Sequence, residues 1–338
     1  MDSVTQAVLG ASIQASLMGR WQGRKALLFG AALATVPDLD VFLDYGDALS
    51  NMTYHRSFSH SLFVLTALAA VLTTAIRWRW PKAGYTSARL FITLWLVLIT
   101  HPLLDAFTSY GTQLWWPLSV NPSTWSSIFI IDPLYTLPLL IPVLWGLRRR
   151  TPFSTKPFTW GLALSSVYLA STLVSKYYAE QPVRQLMAEQ HIQGKLFSTP
   201  TPFNSLLWRV LIVEPEQYHE TYVSLLDQHE PSWESYPRGA KWQPIAQQSA
   251  HYQRLQWFTS DLTQLLRSGD QLVVSDLRMG SSHGYAFNFA IANKDHAHWK
   301  AILPSRWKQS ADKPDQLKHL WQRIWLEPQP HQLTVLPQ

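Results

Sequence analysis

Residues 55–76 read HRSFSHSLFVLTALAAVLTTAI, which is the clearest indication of the architecture. The part that begins at Leu62 carries no charge, whereas two histidines and an arginine stand directly before it. A membrane-spanning helix needs roughly 20 mostly apolar residues. The stretch therefore predicts a membrane helix over residues 59–77 whose beginning places two imidazoles at the rim of the bilayer.

Five further segments have a similar apolar character. Four of them are long and apolar enough to predict spans. The other, at the start of the chain, is weaker because it contains several Ser, Thr and Gln residues, so it can span, lie in the interface, or enter and return. The five segments are 3–19, 25–43, 88–107, 128–147 and 158–176.

The charge pattern gives an orientation for these helices. If all six segments span, the connections on one side carry eleven basic residues and those on the other carry two. Cytoplasmic loops are enriched in Lys and Arg, so the basic side is predicted to be cytoplasmic and the second half of the chain extracytoplasmic. The eleven are Arg20, Arg24, Lys25, Arg77, Arg79, Lys82, Arg89, Arg148, Arg149, Arg150 and Lys156; the two are Arg56 and Lys176.

Composition excludes several functional classes. The net charge of +6 and the pI of about 9.4 follow from basic residues that flank the apolar segments, and no nucleic-acid-binding motif is present, so no nucleic-acid partner is expected. The chain contains no cysteine, which excludes disulfides and thiolate metal sites.

The second half of the chain reads differently from the first. Stretches rich in β-branched and aromatic residues predict strands at 206–214, 220–226, 271–279 and 285–292. Apolar residues near a period of 3.6 predict a helix over 251–267. The predicted fold is a membrane all-α domain of about six apolar helices over residues 1–176, a helical connector over 177–198 and a soluble, strand-rich α+β domain over 199–338.

Six residues with metal-binding side chains are predicted to meet at the outer rim of the membrane domain. They come from three segments, and in one of them two of the residues are four apart, on one face of a helix. A proline follows the first of that pair and predicts a kink or break there. Imidazole and carboxylate ligands suit a divalent metal, Zn²⁺ first and Mn²⁺ or Fe²⁺ as alternatives. The six are Asp38, Asp40, His55, His60, His101 and Asp105.

Two arrangements of these ligands remain open. Six ligands suit a two-metal site, while a single ion would leave a carboxylate such as Asp105 to act as a general base. Bound water at such an ion has a pKa of about 7, which provides a nucleophile at neutral pH. Arg56 either binds an anionic substrate group or contacts lipid headgroups. Ser57, Ser59 and Ser109 can assist through hydrogen bonds.

The motifs that carry these residues resemble one protein family. MDSVTQAVLGA (1–11), PDLD (37–40), HRSFSHS (55–61) and HPLLDAFTSYGTQLWWP (101–117) look like the YdjM-like family of predicted membrane-bound metal-dependent hydrolases. NSLLWRVLIV (204–213) and SDLRMG (275–280) resemble later segments of its members. The resemblance implies a multi-pass protein of the bacterial inner membrane and marks the same six candidate ligands.

The function expected from sequence is metal-dependent hydrolysis at the extracytoplasmic bilayer interface, with Arg56 and Asp105 as candidate catalytic residues. The location suggests membrane lipid as a partner and a lipid-linked phosphoester or similar substrate; no protein partner is indicated. The alternative is a metal-binding membrane protein without hydrolase activity, which senses or transports ions or anchors a partner-binding domain. Five acidic and histidine residues of the second half lack ligand spacing and are expected to be surface or turn residues: His219, Asp227, His229, Asp276 and His283.

Overall fold

A computed structural model describes residues 1–148, 153–296, 298–308 and 314–326. The chain divides into two compact units. The first consists of Met1–Ser126, Ile130–Ser171 and Gln253–Asp261, and the second of Ser127–Phe129, Thr172–Tyr252 and the residues from Leu262 onward. The predicted domain boundaries at 176 and 198 stay predictions. Some residues used in the predictions lie outside the described residues. They are Arg149 and Arg150, which were counted among the basic residues of one side, and residues 327–338 of the predicted soluble domain.

The N-terminal region is helical. Each of the six predicted segments contains a helix, but only three helices of the described chain, α4, α5 and α7, are long and apolar enough to cross a membrane. Six apolar spans are therefore not confirmed. The helices are α1 (Ser3–Gln22), α2 (Lys25–Ala34), α3 (Ala48–Tyr54), α4 (Leu62–Arg79), α5 (Ser87–Ala106), α6 (Pro133–Arg148) and α7 (Lys156–Glu189).

The second predicted segment, 25–43, is not one continuous helix. Helix α2 ends at Ala34, and a 3₁₀ turn follows over Pro37–Phe42. Pro37 has no backbone N–H to donate to the preceding turn, which favours an end to the α-helix at this point. The PDLD carboxylates consequently project from a short turn and not from a long helix.

Helix α1 packs against α2, α5 and α6 and is the most enclosed helix of the first unit. Its approach to α2 is close at Gly10 and Gly30, where a Cβ atom on Gly30 would lie 2.2 Å from the Gly10 carbonyl oxygen. Only residues without a side chain fit this crossing. Apolar side chains of α1, α4 and α5 form an adjoining core around Met18, Leu65 and Leu98.

The second unit contains two four-stranded antiparallel sheets, with strand orders β1-β2-β3-β4 and β10-β9-β6-β5, and the hairpin β7-β8. All of β2 is buried, which explains its nearly continuous apolar sequence LWRVLIV. The strands are β1 (Lys195–Pro200), β2 (Leu207–Val213), β3 (Gln217–Ser224), β4 (Glu234–Pro237), β5 (Thr263–Ser268), β6 (Gln271–Asp276), β7 (Gly280–Ser281), β8 (Gly284–Tyr285), β9 (Asn288–Asp295) and β10 (His298–Arg306). The remaining helices are α8 (Gln243–Ala246), α9 (Ala250–Thr259) and α10 (Pro314–Trp325).

One element of the second half was predicted wrongly. The predicted helix 251–267 ends at Thr259, and residues 263–268 form strand β5. Ser260 and Asp261 have φ angles of 53° and 65°, in the left-handed region that ends a right-handed helix. The predicted strand 285–292 is displaced toward the C-terminus, where it forms β9.

Candidate metal centre

Three segments of the first unit bring four of the predicted ligands together. The 3₁₀ turn at Pro37–Phe42 supplies one carboxylate, and a second 3₁₀ turn at Phe58–His60 supplies an imidazole immediately before α4. Helix α5 supplies a second imidazole and a second carboxylate, four residues apart on one face, and continues through Pro102 without the predicted break. The four residues, here called the His/Asp cluster, are Asp38, His60, His101 and Asp105.

The ligating atoms of the His/Asp cluster converge. One ligand atom from each of the four residues lies within 4.8 Å of every other. Asp38 Oδ1 lies 3.4 Å from His60 Nε2 and 3.2 Å from His101 Nε2. Asp105 Oδ2 lies 3.3 Å and 3.6 Å from the same two nitrogens. Two nitrogens and two oxygens therefore surround a common point.

The converging ligand atoms are mostly buried. His60, His101 and Asp105 are almost completely buried, and the side chain of Asp38 is 27% exposed. Among the described residues, Asp105 Oδ2 and the Nε2 atoms of both histidines have no hydrogen-bond partner. Buried polar atoms without partners are costly, and a divalent cation would satisfy all three at once. The donor set, two imidazoles and two carboxylates, fits such an ion.

The partner of His101 Nδ1 fixes which nitrogen faces the centre. His101 Nδ1 lies 2.7 Å from the backbone carbonyl oxygen of Ala34, at the end of α2. A carbonyl oxygen only accepts hydrogen bonds, so Nδ1 carries the proton and donates it. The neutral ring then presents the lone pair of Nε2 to the cluster, as a metal ligand requires.

Hydrogen bonds through Ser59 orient the imidazole ring of His60 in a similar way. The Ser59 hydroxyl donates to Asp40 Oδ2 at 2.7 Å, and its oxygen lies 2.9 Å from His60 Nδ1. Because the hydroxyl proton points toward Asp40, the serine oxygen accepts from His60 Nδ1–H. Asp40 therefore orients His60 through Ser59 and leaves Nε2 free to bind an ion.

Two of the six predicted ligands, Asp40 and His55, do not belong to the cluster. Asp40 Oδ1 lies 2.9 Å from His55 Nδ1, and Asp40 Oδ2 accepts from the backbone N–H of Arg56 at 2.9 Å and from Ser59. Asp40 thus joins the two 3₁₀ turns around the cluster. Whether each of the six residues binds metal stays a prediction.

Arg56 lies beside the cluster in an unusual conformation. Its φ angle is 62°, which is uncommon for a residue with a side chain, and its backbone is held by Asp40 and by the N–H of Gln113. The guanidinium Nε lies 3.2 Å from Asp105 Oδ2, and its central carbon lies 4.8 Å from the centre of the Tyr110 ring. Arg56 is 5% exposed, and its Nη1 has no hydrogen-bond partner among the described residues.

The charged groups of the site shift the pKa values of Asp38 and His60. Burial raises the pKa of Asp38, but the neighbouring imidazoles of His101 and His60 lower it further, so the net pKa lies below its usual range. Burial lowers the pKa of His60, and the nearby carboxylates of Asp105 and Asp38 outweigh it, so the net pKa is raised. A bound cation would compete with a proton for His60 Nε2.

Gln6 contacts the cluster and was not predicted as a site residue. Its Nε2 donates to Asp105 Oδ1 and to the carbonyl oxygen of His101, both at 3.1 Å. The amino group of Met1 also contacts Asp105 Oδ1. These contacts occupy Oδ1 and leave Oδ2 directed at the cluster. The available sequence signal was a glutamine inside an otherwise apolar segment.

No second group of this kind occurs in the described part of the chain. In the second unit, His219 is bonded to Glu214 and Ser235. Asp227 is paired with Arg323, as Asp276 is with Arg278. Each of the three is paired within its own unit, and His219 and Asp276 are buried in β3 and β6, so the expected surface or turn position is wrong for these two.

Comparison with known proteins agrees with the N-terminal motifs. A family model described as YdjM inner membrane protein matches residues 1–179, more than half of the chain. The chain belongs to this family. The resemblance predicted from the N-terminal motifs is confirmed, and membership together with three apolar helices supports a location in the inner membrane.

Two related proteins align with parts of this YdjM family chain. Inner membrane protein YbcI of Escherichia coli (strain K12) is 34% identical over 114 residues, which are 33% of this chain and 64% of YbcI. Uncharacterized protein YfhP of Bacillus subtilis (strain 168) is 22% identical over 249 residues, 67% of this chain and 71% of YfhP. No solved structure matches the chain significantly.

Proposed function

We propose that this protein is a membrane-bound metal-dependent hydrolase whose active centre is the His/Asp cluster. The observation that carries the proposal is the convergence of two imidazole nitrogens and two carboxylate oxygens, of which three are buried and make no hydrogen bond to the described residues. A buried arginine with an unpaired nitrogen stands beside them. Metal ligands with an adjacent cationic group fit the hydrolysis of an anionic substrate better than they fit a purely structural role.

The ligands in this proposal are His60 Nε2, His101 Nε2, Asp38 Oδ1 and Asp105 Oδ2. We favour a single divalent ion, Zn²⁺ before Mn²⁺ or Fe²⁺, because Asp40 and His55 bond to each other and leave one group of four. When bound, such an ion acts as a Lewis acid and lowers the pKa of water. Asp38, the most exposed of the four, marks the side from which solvent reaches the centre.

Arg56 supplies the anion-binding group. Its Nε is engaged by Asp105, while Nη1 is available to an incoming oxygen. Guanidinium groups form short, charge-assisted hydrogen bonds with phosphate oxygens. The left-handed backbone and the Tyr110 ring hold the group in place before substrate binds. In this role Arg56 binds and orients the substrate, and Asp105 acts as a ligand that also anchors Arg56.

The surroundings of Asp38 suggest that the substrate is attached to lipid. Large apolar side chains on the same 3₁₀ turn and just after it are exposed: Leu39 (54%), Val41 (66%), Phe42 (82%) and Leu43 (47%). Exposed apolar groups beside a buried polar centre favour contact with acyl chains. A lipid-linked phosphodiester or phosphomonoester combines an anionic group for Arg56 with a tail for these residues.

The proposed orientation places the cluster at the extracytoplasmic side. It rests on the excess of Lys and Arg in the alternate connections and on a six-span arrangement of the predicted segments. A reporter fused after residue 176 would give an extracytoplasmic signal if this arrangement is right. A cytoplasmic signal would refute the arrangement. It would then place the His/Asp cluster on the cytoplasmic side as well.

Metal content and hydrolysis test the proposal together. Detergent-purified wild type, prepared without chelator, should contain one equivalent of metal by elemental mass spectrometry, and His60→Ala and His101→Ala should lose it. His219→Ala is a matched control, since His219 is a buried histidine of the other unit. Release of phosphate or alcohol from lipid phosphoesters in mixed micelles should follow the metal content. Full metal without hydrolysis of any phosphoester would favour a sensing, transport or structural role.

A further inference from the structure

A short segment from the second half of the chain belongs to the first unit. Residues Gln253–Asp261, which include most of helix α9, group with the N-terminal helices, whereas the neighbouring strands β4 and β5 belong to the second unit. The family model ends at residue 179, so these residues lie outside the part of the chain that it matches. Within the first unit this segment, here called the α9 segment, contacts the loop that carries Arg56.

Arg254 of the α9 segment holds the end of helix α3. Its Nε donates to Thr53 Oγ1 at 2.7 Å, and its Nη2 donates to the Thr53 carbonyl oxygen at 3.2 Å. The central carbon of its guanidinium group lies 3.5 Å from the centre of the Tyr54 ring. The last carbonyl groups of a helix have no partner within the helix, and a basic side chain commonly supplies one. Because Thr53 is completely buried and stands three residues before Arg56, these contacts fix the start of the loop.

Gln113 connects the same carbonyl group to the backbone of Arg56. The side-chain nitrogen of Gln113 donates to the Thr53 carbonyl oxygen at 2.7 Å, and its backbone N–H donates to the Arg56 carbonyl oxygen at 3.0 Å. The Thr53 carbonyl group therefore accepts hydrogen bonds from two side chains, and one of these is Arg254 of the α9 segment. The loop from Thr53 to Arg56 is thus held at both of its ends.

Phe258 of the α9 segment supports the Arg56 side chain through Tyr110. The Phe258 ring is completely buried, and its centre lies 5.8 Å from that of the Tyr110 ring. The Tyr110 ring contacts the guanidinium group of Arg56 at 4.8 Å and the His55 ring at 5.9 Å. The Tyr110 hydroxyl donates to the carbonyl oxygen of Met52 at 2.8 Å. Phe258 therefore packs against the ring on which the guanidinium group lies.

We infer that the α9 segment positions Arg56 for the anionic group of the substrate, with Arg254 as the main positioning residue. A left-handed backbone is costly for a residue with a side chain and persists only where its surroundings hold it. Arg56 has such a backbone, with a φ angle of 62°. A guanidinium group that is already fixed loses little conformational freedom when an anion binds, which strengthens binding. The inference rests on the proposed function, because it gives Arg56 an anion to bind.

Hydrogen exchange of the loop tests the positioning without metal or substrate. Deuterium uptake by peptides that cover residues 53–60 would be compared between detergent-purified wild type and Arg254→Ala. Loss of hydrogen bonds from a charged donor should make the Arg56 amide, which donates to Asp40, exchange about tenfold faster. Arg267→Ala is the matched control, since Arg267 is a 43% exposed arginine of the second unit. Unchanged exchange in Arg254→Ala would overturn the inference.

Phosphate affinity tests the consequence for the site. Inorganic phosphate would be titrated calorimetrically into zinc-loaded protein, and the metal content of each variant would be measured in parallel. Arg254→Ala should retain the metal and bind phosphate about tenfold more weakly, because the guanidinium group of Arg56 is no longer held. Arg254→Lys keeps a donor for the Thr53 carbonyl group and should recover part of the affinity. In an Arg56→Ala background, Arg254→Ala should have no further effect, because it acts through Arg56.

The same variants separate this inference from the proposed function. An affinity that falls in Arg56→Ala but not in Arg254→Ala would overturn the inference alone, as would a loss in Arg254→Ala that is equal with and without Arg56. An affinity unchanged in Arg56→Ala would refute the proposed anion-binding role and the inference with it. If Arg254→Ala does not fold, Arg254→Met replaces it with the same expected results, because methionine keeps an apolar stem over Tyr54 and removes the donors.

Discussion

Replacement of Ser59 with alanine tests whether orientation of His60 controls metal affinity. The hydroxyl of Ser59 joins Asp40 Oδ2 at 2.7 Å to His60 Nδ1 at 2.9 Å, and His60 is completely buried. Without it, the Nδ1–H of His60 loses its acceptor, and the ring is free to rotate or to adopt the other tautomer. Either change turns Nε2 away from the ion or protonates it.

The expected magnitude follows from the cost of a buried donor without a partner, which is about 1–3 kcal/mol. At about 1.4 kcal/mol per factor of ten, metal affinity should fall by a factor of about 5 to 150. Loss of an outer hydrogen-bond partner of a metal ligand typically costs about 10- to 100-fold, which agrees. Ser59→Thr keeps the hydroxyl and should restore most of the affinity.

Competition with a chromophoric chelator, at fixed pH and in the same detergent, measures this change. Ser109→Ala is the control, since the described structure gives the Ser109 side chain no hydrogen bond to the cluster. A Ser59→Ala affinity within about twofold of wild type, alongside complete loss of metal in His60→Ala, would refute the orienting role, because 1 kcal/mol alone exceeds that ratio. Asp40→Asn should weaken binding further, because it also disturbs the contacts to His55 and Arg56.

Three further changes have definite expected outcomes. Arg56→Ala should retain metal and lose phosphoester hydrolysis at saturating metal; loss of metal would instead make Arg56 structural. After chelation, the Tm should fall as pH rises through the raised folded-state pKa of His60, because protonated His60 stabilises the folded state below its ordinary pKa and this stabilisation is lost above the raised one; His60→Gln should abolish this slope of Tm against pH. The metal affinity of the wild type should instead rise with pH. Gly30→Val should lower stability by about 1–3 kcal/mol in reversible unfolding, because a Cβ there overlaps the Gly10 carbonyl, and unchanged stability would contradict that close crossing.

The helical part of the site could be predicted from local sequence. His101 and Asp105 are four residues apart in an apolar segment, and that spacing alone places both on one face of α5. The apolar runs likewise predicted α4, α5 and α7, because the requirement for apolar residues across a bilayer acts on a continuous segment.

The division of roles among the other candidates could not be predicted in this way. Asp38 and Asp40 stand two residues apart in the same turn, yet Asp38 faces the cluster and Asp40 faces His55 and Ser59. The residue spacing of PDLD does not specify which carboxylate points inward. The 3₁₀ geometry of the turn and the position of the second turn decide it, and both depend on packing against α5.

Helix α1 shows the same difference between local and tertiary information. Its Ser, Thr and Gln residues made it the weakest predicted span, because sequence scales treat a polar side chain as exposed to lipid. In the folded unit the helix is enclosed by α2, α5 and α6, so its polar atoms face protein and not acyl chains.

The sequence by itself determined the apolar helices, the strand-rich second half and the set of residues able to bind a metal, because these depend on side-chain chemistry and on periodicity along the chain. Only the tertiary structure decided that Asp38, His60, His101 and Asp105 converge, that Asp40 orients through Ser59, and that Arg56 lies beside them in a left-handed conformation. These features join atoms far apart in the sequence, and hydrogen bonds form only when the packing of several elements has fixed their directions.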